Sequence, residues 1–380
     1  MSAEHPALSK ASTLVPAWDD QERAFSAAFD VLHNAIDQRA FPAASIAVTH
    51  HGCLVALKAF GRFTFDAGSP QPTPAILFDL ASLTKAVATT SMAMILYERG
   101  LLELEAPVIG ILPEFAGQSD PRRASVTFRM LLAHSSGLPA YEKLFLRAHT
   151  REDLLQATFT TSLSADPGTR AEYSDLGFIL LATALERIAG ESLDLFCQHE
   201  IFGPLAMTHT TFNPPAGARA AIPPTADDRT FRHKIIQGEV QDENAYVLGG
   251  VAGHAGLFST AEDLARFAHV LLQCGAGTPA RVPILRPETV ALFTRRESEP
   301  PGTSRALGWD TPSSPSQSGK YFAHGSYGHL GYTGTSLWID PSRQLSITLL
   351  TNRTWPDCAN QAIKQLRPKF HDAISEALHA

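Results

Sequence analysis

The chain has 380 residues, 44% of them apolar, and exceeds the roughly 250–300 residues at which a single core stops growing, so two lobes or one large α/β body are expected. A formal net charge of −7, with no Lys/Arg-rich run, excludes nucleic acid and anionic membrane surfaces as expected partners. The longest apolar run, Phe178 to Leu185, is far short of the ~20 residues that cross a bilayer, and the first residues lack a basic-then-apolar secretion signal.

Residues 1–18 read as a loosely held Pro/Ser/Ala tail. Phe25, Phe29, Leu32 and Ile36 follow at helical spacing after Asp19-Asp20. Ser45–Thr49 and Cys53–Leu57, joined at His51-Gly52, read as a β-hairpin covered on at least one face. Ser82 to Arg99 contains no proline or glycine and favours helix, with Gly100 as its stop. From about 100 to 300 the chain is mostly helical. Phe128 to Ala133 is a short helix ending at His134, and Leu176 to Ala189 is a longer one, capped by Ser174 or Asp175 and closed by Gly190. Segments 204–224 and 225–245 read as long loops, and Ser259-Thr-Ala-Glu262 as a capping box for a helix with Leu264, Phe267 and Leu271 inward. Thr335–Ile339 and Leu345–Leu350 flank Asp340-Pro-Ser-Arg, a good hairpin turn. Leu366, Phe370, Ile374 and Leu378 mark a last helix that Pro368 is expected to kink or restart.

Strands near both termini and helices between them suggest a mixed α/β lobe, 19–80 with 305–380, and an inserted mainly helical lobe, 81–304. Cys53, Cys197, Cys274 and Cys358 have no C-x-x-C or metal-like spacing and read as reduced thiols, from which a cytoplasmic location is expected.

The chemistry is concentrated at Ser82-Leu-Thr-Lys85. On the first turn of a helix, residues three apart share a face. A lysine can take the serine's proton if burial and neighbouring charge leave it neutral. A helix start also offers free N–H groups to an oxyanion. Alone, the same four residues describe an N-cap serine and a solvated lysine.

Around it, the chain carries Leu131-Leu-Ala-His-Ser-Ser-Gly-Leu-Pro139, Pro167-Gly-Thr-Arg-Ala-Glu-Tyr-Ser-Asp175 and Gly203-Pro-Leu-Ala-Met207. Gly253-His-Ala-Gly-Leu-Phe-Ser-Thr-Ala-Glu-Asp-Leu264 and Gly328-His-Leu-Gly-Tyr-Thr-Gly-Thr-Ser-Leu-Trp-Ile-Asp-Pro341 follow. In this order the segments resemble the serine β-lactamase and penicillin-binding-protein superfamily, in its class C-like branch of DD-peptidases, family VIII carboxylesterases and muramoyl-peptide amidases. The resemblance implies a β-lactamase/transpeptidase-like α/β fold: an antiparallel sheet from both chain ends, flanked by helices, with the helical lobe inserted. It also implies that Ser82 is a nucleophile forming an acyl-enzyme, Lys85 its proton partner and Tyr173 a second proton carrier. His329-Leu330-Gly331 falls where the family has Lys-Thr-Gly, and the N–H groups of Ser82 and Tyr332 would form the oxyanion hole.

Two positions depart from that pattern. Asp175 stands where asparagine is common, and fits either a helix cap or a pocket role. His329 replaces a permanent cation with a group of ordinary pKa ~6.5. Both changes make the pocket less positive, so weak β-lactam turnover is expected, with a small-molecule ester or amide as substrate. His134 reads as a structural turn residue, and His254 as part of a glycine-shaped loop or of the cleft. No H-E-x-x-H, Walker A or G-x-S-x-G occurs, so neither metal nor cofactor is expected. The alternatives are a true β-lactamase or DD-peptidase, and a non-catalytic binding or sensor module on the same fold.

Overall fold

A computed structural model describes residues 14–116, 120–275 and 284–379. In chain order the first elements are β1 (Val15–Pro16), α1 (Gln21–Ala24), α2 (Ser26–Asp37), β2 (Ala43–His50), β3 (Cys53–Gly61) and β4 (Phe78–Asp79). A π-helical turn (Lys85–Thr90) runs into α3 (Ser91–Glu98), followed by α4 (Phe128–Leu132), α5 (Arg151–Thr160), α6 (Asp175–Ala189) and α7 (Leu193–Cys197). Next come β5 (Thr211–Phe212), β6 (Ala226–Asp228), β7 (Lys234–Ile236), α8 (Glu243–Val247), β8 (Leu257–Ser259), α9 (Ala261–Gly275) and α10 (Pro287–Thr294). The chain closes with β9 (Tyr327–Leu330), β10 (Ser336–Asp340), β11 (Leu345–Thr351) and α11 (Ile363–Ala377).

The main sheet runs β1-β3-β2-β11-β10-β9, antiparallel except for β1 beside β3. Its two faces are both covered, because alternate residues point opposite ways. Ile46, Val48, Ile347 and Trp338 pack with Phe29 of α2 and Phe370 and Ile374 of α11. Ala47, Leu337 and Ile339 face the larger core with Leu264, Phe267 and Leu271 of α9. Central strands are therefore apolar on both sides, more enclosed than the hairpin pattern required.

Several local readings change. Residues 1–13 of the expected tail lie outside the described residues, while Val15 pairs with Cys53 and Leu14 is buried. The cap of α9 is Thr260, whose Oγ1 accepts from Asp263 N at 3.1 Å, one residue on from the expected box. The 204–245 region contains β5, the β6–β7 hairpin and α8; strands of two or three residues lack the length to show a period. Pro368 lies within α11 without ending it. Proline cannot bond the carbonyl four residues back, and Gln317 Nε2 donates to that Lys364 oxygen instead, at 2.9 Å.

Candidate active site

Ser82 sits between β4 and the π-helical turn, and the approach to it is tightly held. Ala81 adopts φ 47°, the left-handed region that costs a non-glycine residue about 1–2 kcal/mol. Asp79 offsets that cost: its Oδ1 accepts from Ala81 N at 2.8 Å and its Oδ2 from Gln241 N at 2.7 Å. Burial pushes the Asp79 carboxyl up to about 6, against these two bonds. From the other side, Thr333 and Thr335 donate to the carbonyls of Asp79 and Leu80 at 2.7 and 2.9 Å. A Cβ on Gly331 would overlap Thr335 Oγ1 and the Leu80 oxygen, so only glycine lets β9 end this close to Ser82.

Lys85 is fully buried, and its ammonium has three acceptors: Ser82 Oγ at 3.0 Å, Asp175 Oδ1 at 2.6 Å and the His254 carbonyl at 3.1 Å. Burial opposes its charge, but the Asp175 carboxylate and the Tyr173 phenol outweigh burial and hold the pKa above the ordinary lysine value. The condition under which Lys85 itself could take the serine's proton, a pKa lowered far enough to leave it neutral, is therefore not met. The reason is the aspartate standing where an amide was the norm.

Tyr173 joins the cluster, its ring centroid 4.8 Å from the Lys85 ammonium, and lines the same cleft as Ser82. Burial raises its pKa, Lys85 lowers it and Asp175 raises it, leaving it above the ordinary tyrosine value and thus a neutral phenol. Its ring lies 4.6 Å from that of His134, whose Nδ1 accepts from Ser174 N at 3.0 Å. His134 thus ends α4, as read, and also fixes the Tyr173-Ser174 backbone. The cap of α6 is Ser174, whose Oγ accepts from Gly177 N at 3.1 Å and donates to the Pro139 carbonyl at 2.7 Å. That leaves Asp175 free to pair with Lys85, and it lines the cleft.

His329, on β9, has its ring 6.0 Å from that of Tyr173. Burial, then the charges of Lys85 and Arg305, push its pKa down to about 3, so the ring is neutral. Its Nδ1–H donates to the Leu330 carbonyl at 2.8 Å, leaving a buried, unpartnered Nε2. The Tyr332 ring is half-exposed at the cleft mouth under the Arg353 guanidinium, 4.4 Å from its centroid. Among the described residues, neither Ser82 N–H nor Tyr332 N–H has a hydrogen-bond acceptor. Both residues line one cleft of about 660 Å³ with Lys143, Asp242, Arg305 and Arg353.

Of the candidate site residues, Ser82, Tyr173, Asp175, His329, Gly331 and Tyr332 therefore line one cleft, with Lys85 bonded to Ser82 beneath it. One group lining the cleft was missed. Arg305, its guanidinium 5.3 Å from the Tyr173 ring, supplies the cation that His329 does not, and no motif marks it. Of the two readings of His254, a glycine-shaped loop or the cleft, the second holds: it lines the cleft and pairs through Nε2 with Asp242 at 2.9 Å. Among the described residues no group of three or more His, Cys, Asp or Glu side chains could hold a metal ion.

An α/β body that brings a serine, a buried lysine and a tyrosine together beside two free N–H groups has the arrangement of a serine hydrolase. Residues 20–367 match the family model described as Beta-lactamase, and the chain belongs to that family. It is 32% identical over 345 residues to an N-acetylmuramyl-L-alanine amidase of Bacillus subtilis (strain 168), spanning 82% of this chain and 77% of that one. It is 31% identical to a putative D-alanyl-D-alanine carboxypeptidase of Escherichia coli (strain K12), spanning 82% and 79%. Among solved structures, the hydrolase EstCE1, with promiscuous acyltransferase activity, superposes with a TM-score of 0.75 at 21% identity, over 93% of this chain and 99% of that one, and shows the same fold.

Proposed function

We propose that Ser82 is the nucleophile of an acyl-enzyme hydrolase, served by a Lys85–Asp175 proton pair and the Tyr173 phenol. The observation that carries this reading is the set of acceptors around Lys85 Nζ, with Ser82 Oγ at 3.0 Å and Asp175 Oδ1 at 2.6 Å. An ammonium has no lone pair for a proton. Lys85 therefore passes one proton to Asp175 as it receives the proton leaving Ser82, and the pair ends as ammonium and carboxylic acid. Ser82 Oγ bonds to the substrate carbonyl carbon, and the resulting oxyanion is held by the N–H groups of Ser82 and Tyr332. Tyr173 gives its proton to the departing alkoxide or amine and regains one from the Lys85–Asp175 pair. Water then attacks the acyl carbon, gives its proton to the restored pair, and Ser82 Oγ leaves with a proton.

The substrate is a small ester or amide, with no nucleic acid or membrane partner. Relatives named amidase and carboxypeptidase favour a muramoyl peptide or similar wall fragment. A second reading, turnover of β-lactams or D-Ala-D-Ala peptides, is favoured by Arg305, a cation placed to meet a substrate carboxylate. Four free cysteines support a reducing, cytoplasmic compartment.

The test is hydrolysis of a nitrophenyl ester by wild type and Ser82→Ala, with intact-mass detection of an adduct after a fluorophosphonate. Ser82→Ala is expected to lose about 10³-fold or more and to take no adduct. Equal rates in the two proteins reject Ser82. Nitrocefin run beside it decides between the readings. A kcat/KM near ~10⁶ M⁻¹s⁻¹, inside the usual enzyme range, establishes the second.

A further inference from the structure

Arg367 lies on α11, 36 residues beyond Gly331, and is 5% exposed. Its hydrogen bonds all go to the backbone of the turn between β9 and β10: Nη2 to the Gly331 and Thr335 carbonyls at 2.8 and 2.9 Å, Nε to the Gly334 carbonyl at 3.3 Å. No carboxylate among the described residues offsets its charge; burial, and then the Arg353 guanidinium, push its pKa down to about 9. It is still a cation at neutral pH. Buried charges are ordinarily paired, so an arginine spent wholly on the carbonyls of one turn calls for a reason beyond stability.

The reason lies in the covalent structure of the peptide. The Gly331 oxygen and the Tyr332 N–H belong to one conjugated amide. A cation bonded to the oxygen draws electron density from the nitrogen and makes its N–H a stronger donor. Among the described residues the Tyr332 N–H, like that of Ser82 on the same cleft, has no hydrogen-bond acceptor. The next peptide is held as well, since Arg353 Nε donates to the Tyr332 carbonyl at 2.6 Å.

We propose that Arg367 is a positioning residue for the hydrolytic reaction: bonded to the oxygen of the Gly331–Tyr332 peptide, it orients and polarises the Tyr332 N–H toward the oxyanion formed when Ser82 adds to a carbonyl. This rests on the assignment of Ser82 and of the Tyr332 N–H made above. The effect belongs to the transition state, because the substrate carbonyl carries far less charge than the tetrahedral oxygen.

The experiment compares wild type, Arg367→Met, Arg367→Lys and Ser82→Ala on a nitrophenyl ester. Inhibition by a phenylboronic acid, which mimics the tetrahedral adduct, and thermal melting are measured on each. Arg367→Met is expected to lower kcat about tenfold, less than the 10²–10³ of losing a donor outright. KM should stay within about twofold, and boronate affinity should fall by the same factor as kcat. Arg367→Lys keeps the charge but not the fork that spans two carbonyls, so a smaller parallel loss of about threefold is expected. Arg367 variants that melt as folded proteins with wild-type kcat and boronate affinity overturn the proposal. So does a loss expressed in KM alone. If Arg367→Met does not fold, Arg367→Lys decides by the same two criteria. Should Ser82→Ala hydrolyse the ester at the wild-type rate, the underlying assignment has failed; an inactive Ser82→Ala beside unaffected Arg367 variants fails this inference only.

Discussion

On the proposed mechanism Lys85 acts through its neighbours, with Ser82 Oγ at 3.0 Å and Asp175 Oδ1 at 2.6 Å. Replacing Asp175 by asparagine removes the carboxylate that holds the Lys85 pKa up and, on the proposed mechanism, the acceptor of the serine's proton. Asp175→Asn is expected to lose about 10²–10⁴-fold in kcat on a nitrophenyl ester, the usual worth of general acid–base catalysis, with little change in KM. A variant with full kcat places the base elsewhere. His329 makes a prediction of the opposite kind. Its pKa of about 3 keeps it neutral through the range in which an ordinary histidine titrates. His329→Asn should therefore leave the shape of the kcat/KM profile between pH 5 and 8 unchanged, whatever it does to the rate. Asp79 bears on stability. With its pKa at about 6 it keeps its proton in the folded protein where the unfolded chain has released it. That contribution is fully present below the unfolded value near ~4 and is lost as pH rises through 6, on the order of 3 kcal/mol. Melting temperatures of wild type and Asp79→Asn, compared at pH 4.5 and 7.5, should show a smaller fall with rising pH in the variant.

At the scale of elements, α6 does most to assemble the site, since its first residue is Asp175 and the residue two before that is Tyr173. A Cβ on Gly253 would overlap the Phe178 carbonyl and Ala182 Cβ, so the loop carrying His254 lies directly on α6. Gly253→Ala is expected to cost about 1–3 kcal/mol through overpacking. It should also lower kcat, because the His254 carbonyl and Asp175 are two of the acceptors of one ammonium. Denaturant unfolding and ester kinetics on the same preparation check both effects. The helix itself was legible: an N-cap serine, an apolar interior and Gly190 in the left-handed conformation with φ 68° mark its ends. The small strands β4, β5 and β8 were not, because two or three residues become a strand only when a distant partner supplies the ladder.

At the scale of the whole molecule, the two chain ends close one sheet, and α11 with α2 covers its outer face. Removing residues from 363 onward would expose Phe29, Trp338 and Ile347 and delete Phe370, Ile374 and Arg367 together. Each large apolar side chain so exposed forfeits about 1.5–3 kcal/mol, against a total stability of about 5–15 kcal/mol. A chain ending at residue 362 is expected to show no cooperative thermal transition. A two-state melt in that protein would mean that the sheet is stable with one face bare.

Local order carried the helix after Ser82, both long hairpins, α6 and the run of landmarks that marks the family, because each depends on spacing, caps and turns a few residues apart. The protonation of the site did not lie in that local information. Whether Lys85 is a base or an ammonium turns on a carboxylate 90 residues away, and the cations at Arg305 and Arg367 come from segments with no motif of their own. Charge acts through space and burial, so these roles were decided only when the fold set the distances and removed the water between them.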